Sequence, residues 1–348
     1  MQVISPDTGS RASRPAKKTL DLFLPISRLI VGYRSAKVLL TAVSVDLFEQ
    51  FKHGPRSPSS ASEVMGWDAR AGEIFLDALT ALGLLKKSSR GYSNTSITNQ
   101  CLLKDAPLSV FHNLRFQDLI WKDWSNLGYY LKSPHKKKEL VARLSSTRFT
   151  NEYIHGMQEI ARQSAPAVAE KLFDLKPRDM LDVGAGAGSY STALLDRHPY
   201  LKATCLDLPA TLKFTRNFNK PFRGRIRYLP GDYHKMEFGK EAFDLVLLSH
   251  VTHDEGELQN QSIISKAYKS LRPGGAIALH DFMLADSGTR PLFGALFSIH
   301  MLVYTMNGRA YRKSECMGWL GKAGFQKVES HPISIGAQNE SVLLIGKK

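Results

Sequence analysis

The sequence predicts a mixed α/β chain: a doubly wound parallel sheet of Rossmann-like type, preceded by an α-helical region with winged-helix order. Three observations predict it. Beyond residue 176, short apolar runs alternate with helical stretches, the pattern of a parallel sheet covered on both faces. The first of those runs ends in glycines at alternate positions, Gly184, Gly186 and Gly188, where a backbone turns tightly and lets a ligand come close. Earlier, residues 60–97 order a short helix, a longer helix and a small hairpin.

A chain of 348 residues is long enough for two domains at about 100–200 residues each. With 43% hydrophobic and 23% charged residues it is an ordinary globular composition, which excludes disordered, collagen-like and disulfide-stapled classes. No apolar run reaches the ~18 residues of a membrane span. Leu20 to Val43 comes nearest, and Asp21, Arg28, Arg34 and Lys37 interrupt it. The N-terminus lacks the apolar region and cleavage site of a signal peptide, so a cytosolic protein is expected. Cys101, Cys205 and Cys316 have no metal-type spacing and read as reduced thiols. The net charge is +15, of which +10 falls in residues 1–150. Such a half suits nucleic acid, an anionic membrane or an acidic substrate, or is simply a solvated basic surface.

Residues 1–16 mix Ser, Pro, Gly and Arg without apolar periodicity and read as a disordered basic tail. From Leu20 to Phe51, apolar residues at helical spacing predict two amphipathic helices, with enough apolar surface to suit a partner. Ser60–Met65 and Asp68–Leu85 form the next two, Asp68 being the expected N-cap. The hairpin turns at Arg90-Gly91-Tyr92. The longer helix offers one Arg and two acids where a recognition helix presents several Arg, Lys, Asn or Gln, so nucleic-acid binding is not expected. Residues 106–165 read as further helices with Trp121, Trp124, Tyr129, Tyr130 and the basic run Lys136 to Lys138. Phe149, Tyr153 and Met157, at i, i+4 and i+8, form one helical stripe.

Met180–Val183, Ala203–Leu206, Ile226–Leu229, Phe243–Leu248 and Ala276–Leu279 read as parallel strands, with Ser341–Gly346 as an antiparallel strand at the end. The expected divisions are a tail over 1–16, a winged-helix domain over 17–105, connecting helices over 106–165 and a cofactor-binding domain over 166–348.

Asp182, two residues before the first glycine, suits a ligand with a cationic amino group. Asp207, ending the second strand, is placed for two ribose hydroxyls, and Asp232, after the third, for an adenine amine with Tyr233 against the ring. Ser189 stands where a GxGxxG dinucleotide site would have its third glycine, and nothing in the loop welcomes a pyrophosphate.

DVGAGAG at Asp182–Gly188, DLP at Asp207–Pro209, GDY at Gly231–Tyr233 and LRPGG at Leu271–Gly275 resemble the S-adenosylmethionine-dependent class I methyltransferases. From about residue 20 the whole chain resembles the O-methyltransferases of caffeic acid, acetylserotonin and bacterial natural products, with some likeness to the bacteriochlorophyll C-20 methyltransferase. That resemblance implies S-adenosylmethionine as cofactor and a homodimer formed through the N-terminal domain, the winged helix serving as the dimer interface. It assigns the cofactor to Gly184, Asp207, Asp232 and Tyr233, with Leu208 and Ser249 lining it. A Lys replaces Ser249 in plant members.

The resemblance also places a general-base histidine at His253, with Asp254 or Asp281 as its orienting acid. The chemistry agrees, because a phenol of pKa ~10 needs a base near neutral pH and histidine is the side chain suited to it. A second acid of the plant pattern falls near Ala310 and is missing. His250, His253, His280 and His300 gather in segments that should open toward the acceptor, with His250 and His300 as substrate contacts. Tyr153 and Met157 match the family's residues that close over acceptor and methyl group. No metal is expected, since strand alternation would point His250 and His253 to opposite faces. The expected reaction is methyl transfer to a phenolic or enolic oxygen of a small aromatic metabolite. Its alternatives are methylation of a ring carbon of an aromatic or tetrapyrrole and, more remotely, a winged-helix regulator.

Overall fold

The computed structural model describes residues 17–132, 147–334 and 340–348, with side chains from residue 24 onward. The N-terminal tail and the basic run Lys136–Lys138 lie outside the described residues. Two compact units are present, Met1–Asn99 and Gln100–Lys348.

In the first unit, α1 (Lys17–Ser44) is one continuous helix, where two were expected. The chain breaks only at Asp46, in the left-handed region at φ 58°, and Leu47–Phe51 then forms a single 3-10 turn. Helices α2 (Pro58–Met65) and α3 (Ala69–Ala81) and strands β1 (Leu85–Ser88) and β2 (Gly91–Asn94) follow in winged-helix order. Asp68 caps α3, accepting the Ala71 N–H at 2.8 Å. Lys87 of β1 reaches Asp77 at 2.8 Å and Glu73 at 3.4 Å, so the acids of α3 are paired within the unit.

A short helix, α4 (Ser96–Cys101), precedes α5 (Phe111–Ser125), α6 (Leu127–Lys132) and the long α7 (Thr147–Lys171). Helix α5 has no cap of its own, and its first N–H groups need acceptors. Glu159 of α7 supplies them, accepting from His112 N–H at 3.2 Å and Asn113 N–H at 2.8 Å. The two helices approach closely at Gly156, where an added Cβ would lie 2.8 Å from Asn113 Cα and 3.0 Å from its N. Backbone cannot yield there as a side-chain tip can. Gly156→Ala is therefore expected to cost about 1–3 kcal/mol of stability, read as a lowered midpoint in thermal unfolding.

The rest is the expected doubly wound sheet. Strands β3 (Asp179–Val183), β4 (Lys202–Asp207), β5 (Ile226–Pro230), β6 (Phe243–Ser249) and β7 (Leu271–Asp281) are parallel; β8 (Gln326–Ser334) and β9 (Glu340–Lys347) are antiparallel to each other. The order is β5-β4-β3-β6-β7-β9-β8. The last strand thus inserts between β7 and β8 rather than closing the edge. Crossovers are α8 (Ser189–Arg197), α9 (Pro209–Phe218), α10 (Glu257–Ser270), α11 (Leu292–Tyr304) and α12 (Lys313–Ala323).

Both faces of the sheet are buried, as near-continuous apolar strands require. Met180, Ala203, Leu245 and Leu247 pack with Val168 of α7 and Leu194 of α8, while Leu181, Val183, Val246 and Leu248 pack with Ile263 of α10 and Leu320 of α12. The register pairs Val183 with Leu206 and Leu248, and Ser249 with His280, so the carboxyl ends of four strands stand level. Ligands of such sheets bind beyond those ends.

Candidate active site

Two adjoining cavities open there. The larger, about 560 Å³, is walled by Gly184, Gly186, Asp207, Leu208, Asp232 and Tyr233 among others. The smaller, about 190 Å³, adds Met157, Asp182, Ser249, His253, Phe282 and Phe297; Tyr153, Gly184, Gly186 and His250 line both. At the opposite edge of the sheet a depression of about 440 Å³ carries Arg225 and Arg272. Those cations are engaged already, Arg225 by the His198 carbonyl at 2.9 Å and Arg272 by Asp244 at 2.7 Å.

The glycine loop fits a ligand that presses on backbone. Gly184 has φ 67°, and a Cβ there would stand 2.8 Å from Val251 Cγ2 and fill the corner where the cavities meet. Gly188, at φ 77°, is the N-cap of α8 and serves the turn instead of lining a cavity. Gly231 also lies off both walls, against Met236.

Asp207 ends β4 with its carboxylate tied to the loop: Gly186 N–H donates to Oδ2 at 2.8 Å and Leu208 N–H to Oδ1 at 2.7 Å. Each oxygen keeps a lone pair for a further donor, which suits two hydroxyls. Burial raises its pKa, and the two N–H groups oppose that rise. Burial pushes Asp182 up to about 7, with the nearby charge of Asp207 adding to the rise and the Ser191 hydroxyl, donating at 2.6 Å, opposing it. A cationic ligand amine at this wall would favour its carboxylate form. Tyr233 donates its hydroxyl to Glu255 at 2.7 Å, which fixes the ring along the larger cavity beside Asp232. Glycine cradle, ribose-side carboxylate and a ring wall together fit an adenosyl ligand with an amino-acid end.

On the other side, His253 Nδ1 lies 2.6 Å from Asp281 Oδ1. Asp281 is clamped: Thr252 Oγ1 donates to Oδ2 at 2.5 Å, His253 N–H to the same oxygen at 3.1 Å, and Phe282 N–H to Oδ1 at 2.7 Å. Burial would lift Asp281, but the imidazoles of His253 and His250 beside it hold it well below the usual carboxylate range. Burial likewise lowers His253, yet the charges of Asp281 and Asp254 outweigh it and bring the imidazolium up to about 9. Asp254 sits on the other side, 3.7 Å from Nε2, and desolvation raises it to about 6. An ionised carboxylate only accepts, so the Nδ1 of His253 holds a hydrogen and Nε2 is the nitrogen left for proton transfer.

The histidines part ways. His250 follows the end of β6 at φ 57°, a left-handed residue that breaks strand alternation. Its ring turns toward His253, centroids 5.9 Å apart, and its Nδ1 comes within 3.5 Å of Asp281. The expectation of opposite faces is therefore corrected. His280 is fully buried and bonded at both ring nitrogens, to Ser249 at 2.9 Å and Ser341 at 2.8 Å; burial and His250 keep it well below the usual value. It supports the wall and does not line it. His300 lies one layer back, stacked on Phe297 at 5.7 Å and accepting from Trp124 Nε1 at 3.3 Å. Burial, with the charge of His253, lowers it to about 4, so it is neutral, and because Trp only donates, Nε2 carries the hydrogen.

Phe282 and Phe297 make the aromatic wall, with Phe293 packed against both, and Phe297 stands edge-on to His253 at 4.8 Å. Sequence reasoning missed them, along with Thr252, Glu255 and Tyr190. The i, i+4 spacing of Phe293 and Phe297 was the available signal.

Residues 133–326 match the O-methyltransferase domain and residues 27–104 the O-methyltransferase dimerisation domain. The tetracenomycin polyketide synthesis 8-O-methyl transferase TcmO of Streptomyces glaucescens is 27% identical over 331 residues, covering 93% of this chain and 96% of that protein. An O-methyltransferase family protein from Burkholderia thailandensis superposes with a TM-score of 0.84 at 26% identity, covering 96% and 99% of the two chains. Human N-acetylserotonin methyltransferase in complex with S-adenosylmethionine shares the fold at a TM-score of 0.83 and 22% identity, covering 97% and 99%. Among the described residues no helix is long and apolar enough to cross a membrane. The chain belongs to the S-adenosylmethionine-dependent O-methyltransferases.

Proposed function

We propose that this enzyme methylates a phenolic or enolic oxygen of a small aromatic metabolite, with His253 as general base and Asp281 as the acid that orients it. One observation carries the reading: the 2.6 Å His253–Asp281 pair faces an aromatic-walled chamber that opens on the cofactor cavity. S-adenosylmethionine, when bound, supplies an electrophilic methyl group on a sulfonium. His253 Nε2 takes the hydroxyl proton as the oxygen attacks that carbon, and Asp281 stabilises the imidazolium that forms. Asp207 and Asp232 hold the ribose and the adenine amine, Asp182 the amino-acid end beside Ser249. Tyr153 and Met157 close over the reacting groups from α7. His300 backs the chamber from behind, stacked on the Phe297 ring at 5.7 Å. Related enzymes are named for 8-O-methyl transfer in tetracenomycin polyketide synthesis and for acetylserotonin, which supports an oxygen acceptor. In the N-terminal unit, α1 leaves Ile26, Leu29, Ile30 and Tyr33 exposed, a surface suited to a homodimer.

Screening phenols, enols and tetrapyrroles with labelled cofactor, and locating the methyl group by NMR, tests this. A product methylated on carbon would overturn the proposed oxygen acceptor.

The electrostatics set a pH dependence. His253 accepts a proton only when neutral, and with its pKa raised to about 9 it is mostly charged at pH 7. In consequence kcat/KM is expected to climb with pH through neutrality, reach half its maximum near pH 9 and level off above it. The sulfonium charge favours the neutral ring, so the limb in kcat lies lower. Asp254→Asn removes a charge that raises His253 and is expected to move the kcat/KM limb to lower pH. A profile that is flat from pH 6 to 9 in this range of the shifted pKa would remove His253 as the titrating base.

A further inference from the structure

We infer that His250, His253 and Asp281 form a binding site for one divalent first-row transition ion such as zinc or cobalt, and that filling it silences the base. One donor atom from each residue lies within 4.8 Å of the other two. Asp281 Oδ1 is central, 2.6 Å from His253 Nδ1 and 3.5 Å from His250 Nδ1. Around an ion with bonds of about 2.0–2.2 Å, donors stand roughly 3–3.5 Å apart, so the His253–Asp281 pair at 2.6 Å must open and the two imidazole nitrogens, within 4.8 Å of each other, must close toward that spacing. Two imidazoles and one carboxylate, with coordination positions left open, form a donor set that divalent transition ions accept.

Two further features mark a built site. His250 Nδ1 is buried and makes no hydrogen bond among the described residues, although a buried ring nitrogen ordinarily has a partner. The left-handed backbone at His250 is what carries that nitrogen to Asp281. The outer shell is also in place, because Thr252 Oγ1 and the N–H groups of His253 and Phe282 already orient the carboxylate.

The consequence for the base follows from imidazole chemistry. A neutral ring carries one hydrogen, so an ion on Nδ1 of His253 leaves that hydrogen on Nε2, where the acceptor's proton would have to go. Binding releases the displaced proton to solvent. Ion binding itself is independent of the methyl-transfer reading; only the silencing rests on it.

The test is cobalt titration of the chelator-stripped full-length protein, followed through the visible absorption of the ligated ion, then competition by zinc. One ion per chain is expected. Loss of an outer-shell partner alone costs about 10- to 100-fold in affinity, so His250→Ala and His250→Gln are each expected to weaken binding at least 100-fold. S-adenosylhomocysteine titration of the same variants verifies that they are folded. Zinc is expected to inhibit wild-type methyl transfer reversibly, with EDTA restoring it, and to inhibit the variants far less relative to their own zinc-free rates. Absence of cobalt binding, or binding unchanged in both variants, overturns the site. Binding without inhibition overturns the silencing and leaves the ion site standing. Failure to methylate any acceptor bears on the proposed function and leaves the cobalt result readable.

Discussion

His253→Gln is expected to lower methyl transfer by about 10²- to 10⁴-fold while S-adenosylhomocysteine binds with little change. The reasoning starts from the two nitrogens. Asp281 occupies Nδ1 at 2.6 Å, so the ring contributes its chemistry through Nε2, and Gln offers no basic nitrogen there. The remaining rate comes from holding acceptor and methyl group in line, which the aromatic wall and α7 supply without His253. In free energy the loss amounts to about 3–5 kcal/mol of transition-state stabilisation. Asp281→Asn should fall in the same direction, since an amide in place of the carboxylate no longer stabilises the imidazolium. Single-turnover rates at saturating cofactor measure both. A His253→Gln enzyme as fast as wild type would reduce the residue to a wall and leave proton removal to solvent.

Asp207→Ala is expected to weaken cofactor affinity by about 10²- to 10⁴-fold, because two hydrogen bonds to a charged carboxylate are worth roughly 1.5–3 kcal/mol each. Its effect also has a local part. The same oxygens accept the N–H groups of Gly186 and Leu208, so the substitution loosens the glycine loop as well as removing the hydroxyl contacts. Asp207→Asn separates the two contributions, since it preserves the size of the side chain and one acceptor oxygen. Calorimetric titration with S-adenosylhomocysteine reads them directly. Unchanged affinity in Asp207→Ala would mean that the ribose is held elsewhere.

Much of the cofactor side was legible in the sequence because it is local. A glycine turn, an acid at the end of each of three strands and the strand-to-helix alternation are all written within a few residues of the backbone feature they serve. Asp207 and Tyr233 stand where their positions at strand ends imply, beside a cavity of about 560 Å³. The acceptor side was less legible. His253 is recognisable from its motif, but which acid turns toward Nδ1 depends on how β6 and β7 pair. Ser249 facing His280 in that register brings Asp281, one residue further, beside the histidine. Likewise His280 reads as one more histidine of the pocket, yet the same register buries it between Ser249 and Ser341.

What the sequence by itself determined is therefore the periodic and the local: two kinds of texture along the chain, parallel strands with buried faces, caps such as Asp68, and a nucleotide-type turn at Gly184. Tertiary structure alone decided the rest. It kept α1 whole up to the left-handed Asp46, slid β9 between β7 and β8, and drew His250, His253 and Asp281 together. The physical reason is the same in each case. Apolar period reports which face of an element is buried, whereas strand partners and the direction of a side chain past a strand's end depend on long-range pairing and on a single backbone angle, here φ 57° at His250.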